Sequence, residues 1–456
     1  MNDTILMGKR IHFMGIGGIM MASLADMALV DGKTVTGSDR APSASTKELE
    51  EKGATIYYGQ CGENIDQAKP DLVVYTAAIH PDNPEFQRAK ELGIAMFSRA
   101  EYLGELMCDY THRVGVSGTH GKSTTTGMLS SIYIAAGVDP TLLCGAELAC
   151  LDGAAYRAGA KEHLVYESCE YTDSFLSFHP TVAVVLNIDL DHVDYFHSIE
   201  QLEQSFCRSA EEADLVVING DDDGTVRAFA DYHKPVVKVG VNAPDAHYSA
   251  QNLRFEKGCG VFTLTEGKTE LGQIQLSVPG AHNITNALCA AAAALACGIG
   301  IEAIQKGLLA FTGAVRRLEK KGSRNGVDVY DDYAHHPTEI CATLKTAKTL
   351  GYKRVVTVFQ SHTYSRTVGL LDDFAAALSL ADLVLIAPIF AAREVNTTGV
   401  SAHDIAKKMT NALAFDTMED TLAALNVHAK EGDLVITMGA GNIYTVGNAY
   451  LAQTKL

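Results

Sequence analysis

The sequence predicts an α/β protein of three domains built on mostly parallel sheets. Three observations carry this. Strand and helix signals alternate in three successive blocks, the pattern of parallel architecture. The 456 residues exceed one domain at roughly 150 residues each. Two of the blocks open with an apolar strand that ends in a Gly-rich turn and enters a helix.

The first block has a strand at Arg10–Met14, a turn at Gly15–Gly18 and a helix through about Asp31. A strand at Thr34–Gly37 runs into Ser38-Asp39, a third lies at Asp71–Tyr75, and a helical run covers Arg99–Met107. The second block has strands at Arg113–Val116, His163–Tyr166, Val182–Ile188 and Leu215–Ile218. Short antiparallel strands are expected from about Tyr248 to Pro279. The Ala-rich helix Asn283–Cys297 should be buried on most sides, because it has no polar face. After a hinge at Phe311-Thr-Gly-Ala-Val come strand Val327–Tyr330, helix Thr338–Leu350, strand Val355–Phe359 and helix Leu370–Leu380. Strands Leu383–Ile389 and Leu434–Met438 close the block. The boundaries fall near 110 and 314, giving domains 1–110, 111–314 and 315–456.

Composition narrows the function classes. A hydrophobic share of 47% with 20% charged residues is globular rather than disordered. The net charge of −18 argues against a coat for nucleic acid or an anionic membrane, since both need clustered cations. Small phosphate ligands stay open, because they need only a nest of backbone N–H groups and one Lys. The ten cysteines are scattered without a C-x-x-C pair and read as buried thiols of a reducing compartment. The N-terminus lacks the apolar core of a signal peptide. The longest apolar stretch, Ala287–Ile301, is Gly-interrupted and too short to span a bilayer. A cytoplasmic protein is expected.

The sharpest motif is Gly115-Val-Ser-Gly-Thr-His-Gly-Lys-Ser-Thr-Thr-Thr126. Strand before and helix after is the context a phosphate loop requires. Its glycines let successive N–H groups face phosphate oxygens, and the helix N-terminus adds positive potential. Gly118, Thr119, His120, Gly121, Lys122, Ser123 and Thr124 are the candidate ATP-binding residues. Lys122 would reach the outer phosphates and the Ser123 hydroxyl would ligate Mg²⁺. The general G-x-x-x-x-G-K-[ST] pattern is not matched literally, because Val116 stands at its first position. The bland alternative is a Gly-rich turn with an incidental Lys.

Magnesium needs further oxygen ligands. Glu167 ends one apolar strand and His192 follows another, where an open α/β sheet gathers ligand groups. If those strands are adjacent, both residues reach one sheet edge. Glu170, Asp173, Asp189, Asp191 and Asp194 are competitors, expected in solvated or supporting roles. Gly15, Gly17 and Gly18, with Ser38 and Asp39, suit a nucleotide diphosphate at a helix N-terminus. NAD(P) and a UDP-sugar are both candidates there. In the third block, Asp331-Asp-Tyr-Ala-His-His-Pro337 and Gln360-Ser-His-Thr-Tyr-Ser-Arg366 end two strands. Their His and Arg suit capture of a carboxylate or phosphate, Arg by its bidentate fork. Met438-Gly-Ala-Gly-Asn-Ile-Tyr444 is expected to serve packing.

Together these strings resemble one family along essentially the whole chain, the Mur ligases. Gly118–Thr124 is similar to that family's own phosphate-loop variant. Pro279-Gly-Ala-His-Asn-Ile-Thr-Asn286 resembles its adenine-side segment, and Arg316-Arg-Leu-Glu319 the opening of its C-terminal domain. His12–Gly18, Gly37-Ser-Asp39, Asp331–Glu339, Phe359–Thr367 and Ala391-Ala-Arg-Glu394 are most similar to the alanine-adding branch. The resemblance implies an N-terminal Rossmann-like UDP-binding domain, a central P-loop ATPase-type domain and a C-terminal Rossmann-like domain. It implies ATP and Mg²⁺, with UDP-N-acetylmuramate and L-alanine joined through an acyl phosphate in peptidoglycan precursor synthesis. Ser123, Glu167 and His192 fall on metal positions. Asn283, Asn286, Arg317 and Asp331 fall on the ATP side, and His335 and Arg366, with Lys122, on catalytic positions. Met20 replaces the last glycine of the UDP loop, Thr363 stands where relatives often carry Arg, and Ser361 where Pro is usual. No Lys follows Glu167 where other branches carry a modified, metal-bridging one. A ligase that recycles a preformed peptide, or a nucleotide-binding sensor, are the alternatives.

Overall fold

The computed structural model describes residues 7–453 apart from 77, 193, 194 and 393. The chain divides into two compact units. The first runs to Asp189 and includes Ile199–Ser249 and Leu288–Gly307. The second comprises Leu190–Ser198, Ala250–Ala287 and the chain from Leu308 onward.

The first unit holds two parallel-type sheets. One consists of β1 (Arg10–Met14), β2 (Thr34–Asp39), β3 (Thr55–Tyr58), β4 (Leu72–Tyr75) and β5 (Ala95–Ser98), in the order β3-β2-β1-β4-β5. Its crossover helices are α1 (Ile19–Val30), α2 (Ala44–Glu51), α3 (Gly62–Ala68) and α4 (Pro84–Glu91), and α5 (Arg99–Met107) follows. Every pairing is parallel, so β1 lies inside the sheet with its neighbours leaving in opposite directions. A turn at its carboxyl end therefore opens at a topological switch point.

The other sheet carries β6 (His112–Ser117), β7 (Thr141–Leu148), β8 (Ala154–Arg157), β9 (His163–Glu167), β10 (Val182–Val185), β11 (Leu215–Asn219) and β12 (Val236–Gly240). Their order is β12-β11-β10-β6-β9-β7-β8. Helix α6 (Lys122–Ala135) follows β6, and α7 (Ile199–Ser209) and α8 (Asp223–Ala228) flank β11 in the sequence. β6 pairs in parallel with both β10 and β9, which corrects the expectation that β9 and β10 are neighbours. Strand β10 stops at Val185 rather than Ile188, because the backbone beyond it turns to the phosphate loop: Leu186 N–H donates to Ser117 O at 3.0 Å.

The polar region forms longer strands than its composition suggests: β13 (Tyr248–Glu256), β14 (Cys259–Glu266) and β15 (Thr269–Pro279). β14 and β15 are an antiparallel hairpin. Ile274, Leu276 and Val278 are buried between exposed polar neighbours, the period-two alternation of a half-buried strand. Helix α9 (His282–Ala296) buries Ala287 through Ala294 almost completely, as its lack of a polar face requires, and α10 (Ile301–Ala310) follows.

The six-stranded sheet of the second unit has the order β16-β17-β21-β18-β19-β20. Its strands are β16 (Glu319–Arg324), β17 (Val327–Asp332), β18 (Arg354–Phe359), β19 (Leu383–Ile386), β20 (Ala412–Ala414) and β21 (Asp433–Met438). Only β16 is antiparallel. Helices α11 (Pro337–Lys348), α12 (Tyr364–Gly369), α13 (Leu371–Leu378), α14 (Ala402–Ala406), α15 (Met418–His428) and α16 (Tyr444–Ala452) connect or follow them. α12 is a separate turn ahead of the expected Leu370 helix. β19 ends at Ile386 rather than Ile389, two residues before Pro388, which cannot donate to a ladder. One core layer packs Phe359, Phe374, Leu434 and Ile436, and another Val329, Val358, Val435 and Tyr450.

Candidate active site

The phosphate loop hangs from β6, which is held by strands on both sides. Gly118 takes φ +132°, and a Cβ there would meet Leu186 Cβ at 2.9 Å and Asn187 N at 3.2 Å. Only glycine lets the loop pass so close to the β10 extension. Asn187 then grips the loop twice: its Oδ1 accepts from His120 N at 2.8 Å, and its Nδ2 donates to His120 O at 2.9 Å. Thr119 Oγ1 donates to Asp189 O and accepts from Asp189 N, both at 2.9 Å. Gly121, at φ +85°, caps α6, which begins at Lys122.

Lys122 Nζ donates to Gly118 O at 2.6 Å, Thr119 O at 3.1 Å and Glu170 Oε2 at 3.0 Å. Burial opposes its charge, but Glu170 chiefly, with Cys169 and Glu167, outweighs burial and holds the ammonium above its ordinary range. Ser123 Oγ donates to Glu167 Oε2 at 2.9 Å, and Gly145 N–H donates to the same oxygen at 3.0 Å. A hydroxyl oxygen and a carboxylate at the mouth of a phosphate loop are hard donors of the kind Mg²⁺ takes, so the donor set fits that ion. His192 belongs to the second compact unit and sits at φ +52°.

The competing acids sort by partner. Glu170 is 1% exposed and paired with Lys122, so it is not solvated. Asp191 is buried on Arg366. Asp173 accepts from the Ser205 hydroxyl, and Asp189 braces Thr119. Asp194 lies outside the described residues.

At the end of β1, Gly15 and Ile16 donate to Ser38 O at 2.8 and 3.0 Å, and Gly17 N–H donates to Asp39 Oδ2 at 2.8 Å. Gly18 precedes α1, with Met20 its second residue. Ser38 is fully buried, and its hydroxyl donates to Glu85 Oε2 at 2.5 Å. This bond ties the loop to the core. Asp39 also braces the loop, being partly exposed with both oxygens on backbone N–H groups of Gly17 and Arg40.

In the second unit, Asn283 Nδ2 donates to Pro279 O at 2.8 Å, and Asn286 Nδ2 to Asn283 Oδ1 at 3.0 Å. The two amides thus form one linked pair at the start of α9. Arg317 lies 3.6 Å from Glu339 and over the Tyr333 ring. Asp331 is buried, with Oδ2 accepting from Arg316 Nε at 2.8 Å and Oδ1 from Thr437 Oγ1 at 2.7 Å. Asp331 is thus the counter-ion of Arg316.

His335 Nδ1 lies 3.1 Å from Tyr333 O and 3.3 Å from Glu339 Oε2. Burial pushes its pKa down to about 4 against the pull of Glu339, while Arg366 adds to the depression. The ring is therefore neutral at pH 7. Its Nδ1–H faces acceptors, leaving Nε2 as a lone-pair acceptor. A neutral ring of this kind can accept one hydrogen bond, whereas a group this acidic is a weak general base. Arg366 donates to Asp191 at 2.7 Å.

Glu394 belongs to a string the sequence singled out, but its role was not legible there. Its Oε2 accepts from Tyr364 N and Ser365 N at 2.7 and 2.9 Å, and its Oε1 from the Ser365 hydroxyl. It thereby ties residue 394 to the start of α12, which carries Arg366. The adjoining Thr363 sits at φ +69°, ψ 149°, a region almost reserved for glycine. The Gly439–Gly441 turn packs against Gln360, and a Cβ on Gly439 would meet Gln360 O at 2.4 Å.

Three family models match in succession: the Mur ligase family catalytic domain over residues 10–111, the Mur ligase middle domain over 116–294 and the Mur ligase glutamate ligase domain over 316–441. The chain belongs to the Mur ligase family and has its three-domain α/β fold. It is 46% identical to the UDP-N-acetylmuramate–L-alanine ligase of Acetivibrio thermocellus, over 98% of this chain and 97% of the relative. Among solved structures it resembles a UDP-N-acetylmuramate–alanine ligase from Thermotoga maritima at 27% identity and TM-score 0.82, covering 97% and 98% of the two chains. A murein peptide ligase from Psychrobacter arcticus matches at 25% identity and TM-score 0.73, covering 98% and 99%.

Proposed function

We propose that this chain joins L-alanine to the lactyl carboxylate of UDP-N-acetylmuramate at the expense of ATP, a step of peptidoglycan precursor synthesis. The observation that carries the reading is the cluster of Lys122 and Ser123 at the start of α6 with Glu167 at the end of β9, in a chain whose near full-length relative at 46% identity bears that activity in its name. The division at about 110 and 314 then separates a UDP-sugar domain, an ATP domain and an amino-acid domain.

A carboxylate is a poor electrophile at neutral pH. Transfer of the γ-phosphoryl from ATP to a lactyl oxygen releases ADP and gives a mixed anhydride. The alanine amine attacks its carbonyl carbon, the C–O bond to phosphate breaks, and the amine loses a proton. Phosphoryl transfer asks for positioning and charge neutralisation more than covalent help. The backbone N–H groups of Gly118–Thr124 and the Lys122 ammonium supply these. Ser123 and Glu167, with His192, would hold Mg²⁺, which when bound neutralises charge on the phosphates. Asn283, Asn286 and Arg317 serve the ATP side, and Gly15, Gly17, Gly18 and Asp39 form the UDP-sugar loop. His335 orients the amine and Arg366 takes the alanine carboxylate.

None of the ten cysteines forms a disulfide among the described residues, and no helix among them is long and apolar enough to cross a membrane. Both fit action in the cytoplasm, where ATP is available. The likeness to a murein peptide ligase keeps one alternative, addition of a preformed peptide to the same UDP-sugar. Phosphate release from ATP and Mg²⁺ with UDP-N-acetylmuramate, tested with each amino acid and with the tripeptide, decides. Alanine alone should support turnover; release with tripeptide and not alanine selects the alternative, and release with neither rejects both.

A further inference from the structure

Lys122 Nζ has three partners, Gly118 O at 2.6 Å, Thr119 O at 3.1 Å and the Glu170 carboxylate, with Oε2 at 3.0 Å and Oε1 at 3.3 Å. Two are backbone of the loop itself. The third is the only charged one, and Glu170 is 1% exposed. A phosphate that takes Lys122 must therefore displace one acceptor, and the carboxylate is the one whose place another anion can fill. Glu170 directly precedes a short helical segment, Tyr171–Ser177, with Phe175 fully buried. The carboxylate is therefore held out of water in the resting chain. Two anions are left to share one cation at short range in a low-dielectric setting, where repulsion is strong.

We propose that Glu170 is an exchange partner for nucleotide phosphate on Lys122: it yields the ammonium when ATP binds and reclaims it when ADP leaves, so it sets nucleotide affinity and product release. This rests on reading Gly118–Thr124 as the phosphate loop. Glu170 is a positioning residue here, acting on phosphate through Lys122.

The role differs from that of an ordinary structural ion pair in its sign. Removing a merely structural partner weakens the fold and leaves nucleotide affinity unchanged or poorer. Removing a competitor tightens binding. The experiment uses the full chain with Glu170→Gln, Lys122→Ala and the double variant, and measures Mg-ATP and Mg-ADP dissociation constants by calorimetry. Glu170→Gln should bind both nucleotides about tenfold tighter, the equivalent of about 1.4 kcal/mol. Its melting temperature without nucleotide should fall, because a buried ammonium loses its partner, and the rise on adding ADP should exceed that of the parent. In the Lys122→Ala background the Glu170 substitution should leave affinity unchanged. Glu170→Asp should move affinity in the same direction by less, and it stands in if the Gln variant does not fold. Unchanged or weaker nucleotide binding by a folded Glu170 variant overturns the proposal. Parent-like affinity in Lys122→Ala would instead reject the phosphate-loop reading beneath it.

Discussion

Arg366 donates from Nη2 to Oδ1 of Asp191 at 2.7 Å, and the two side chains are 12% and 10% exposed. Burial alone would raise the Asp191 carboxyl. Arg366, then His192 and His335, outweigh it and hold that carboxyl far below its usual range. The aspartate thus fixes one nitrogen of the guanidinium, and under the proposed function the rest of the fork takes the alanine carboxylate. Arg366→Lys should raise the alanine KM about 10- to 100-fold, the loss of a charged hydrogen bond worth about 1.5–3 kcal/mol. The KM for UDP-N-acetylmuramate should stay near the parent value. Steady-state kinetics with each substrate varied in turn checks this, and a rise confined to the ATP KM would move Arg366 to phosphate.

Glu167→Gln removes a charged oxygen beside Ser123 while keeping the side chain's shape. The Mg²⁺ concentration for half-maximal rate should rise by about tenfold or more, and His192→Ala should move it in the same direction. Magnesium titrations at saturating substrates provide the measurement. Superimposable curves for the parent and both variants would leave Glu167 and His192 as structural residues.

His335 provides a pH test. Its pKa of about 4 in the folded chain lies below the unfolded value of about 6.5. The unfolded chain therefore takes up the proton first as pH falls. The stability tied to a neutral His335 is complete above about pH 6.5 and drains away toward pH 4. By pH 4.5 the loss should approach about 2–3 kcal/mol. His335→Gln lacks this titration, so the gap in unfolding free energy between parent and variant should shrink by that amount between pH 7.5 and 4.5. Urea unfolding at both pH values tests it, and a constant gap would place His335 in a more solvated setting.

Thr363, at φ +69° and ψ 149°, carries strain of about 1–3 kcal/mol for a residue with a Cβ. Thr363→Gly should relieve it, less the greater chain entropy of glycine, about 0.5–1 kcal/mol. A net gain of about 1 kcal/mol is expected, read as a higher urea midpoint. A lower midpoint would mean that the Thr363 side chain stabilises the turn more than its backbone strains it.

The sequence makes some of this arrangement legible and hides the rest for identifiable reasons. Gly118, Gly121 and Lys122 are readable because a loop that wraps phosphate demands those residue types at that spacing. Val182–Val185 and His163–Glu167 are readable as strands, but their order is not. Pairing across a sheet depends on crossover topology, so the place of β6 between them leaves no trace in local pattern. Ser38 and Asp331 look like ligand groups by position, and nothing in local pattern announces their protein partners, Glu85, Arg316 and Thr437. Arg366 and Asp191 meet across 175 positions, beyond any motif. Thr363 betrays nothing of its backbone angle, because β-branched residues rarely adopt it.

The Glu394 carboxylate, bonded to Tyr364 N, Ser365 N and the Ser365 hydroxyl, makes two distant stretches of chain a single heritable module. Anyone grafting the amino-acid pocket of a relative onto this scaffold would have to move residues 359–367 and 391–394 as a matched set. A chimaera that exchanges 391–394 and loses Glu394 would arrive with its Arg366 helix unmoored, because all three bonds end on that carboxylate. The two ends of the tie are unequal: a substitution at 394 removes three bonds, whereas one at 365 removes only the hydroxyl bond and keeps both backbone N–H donors.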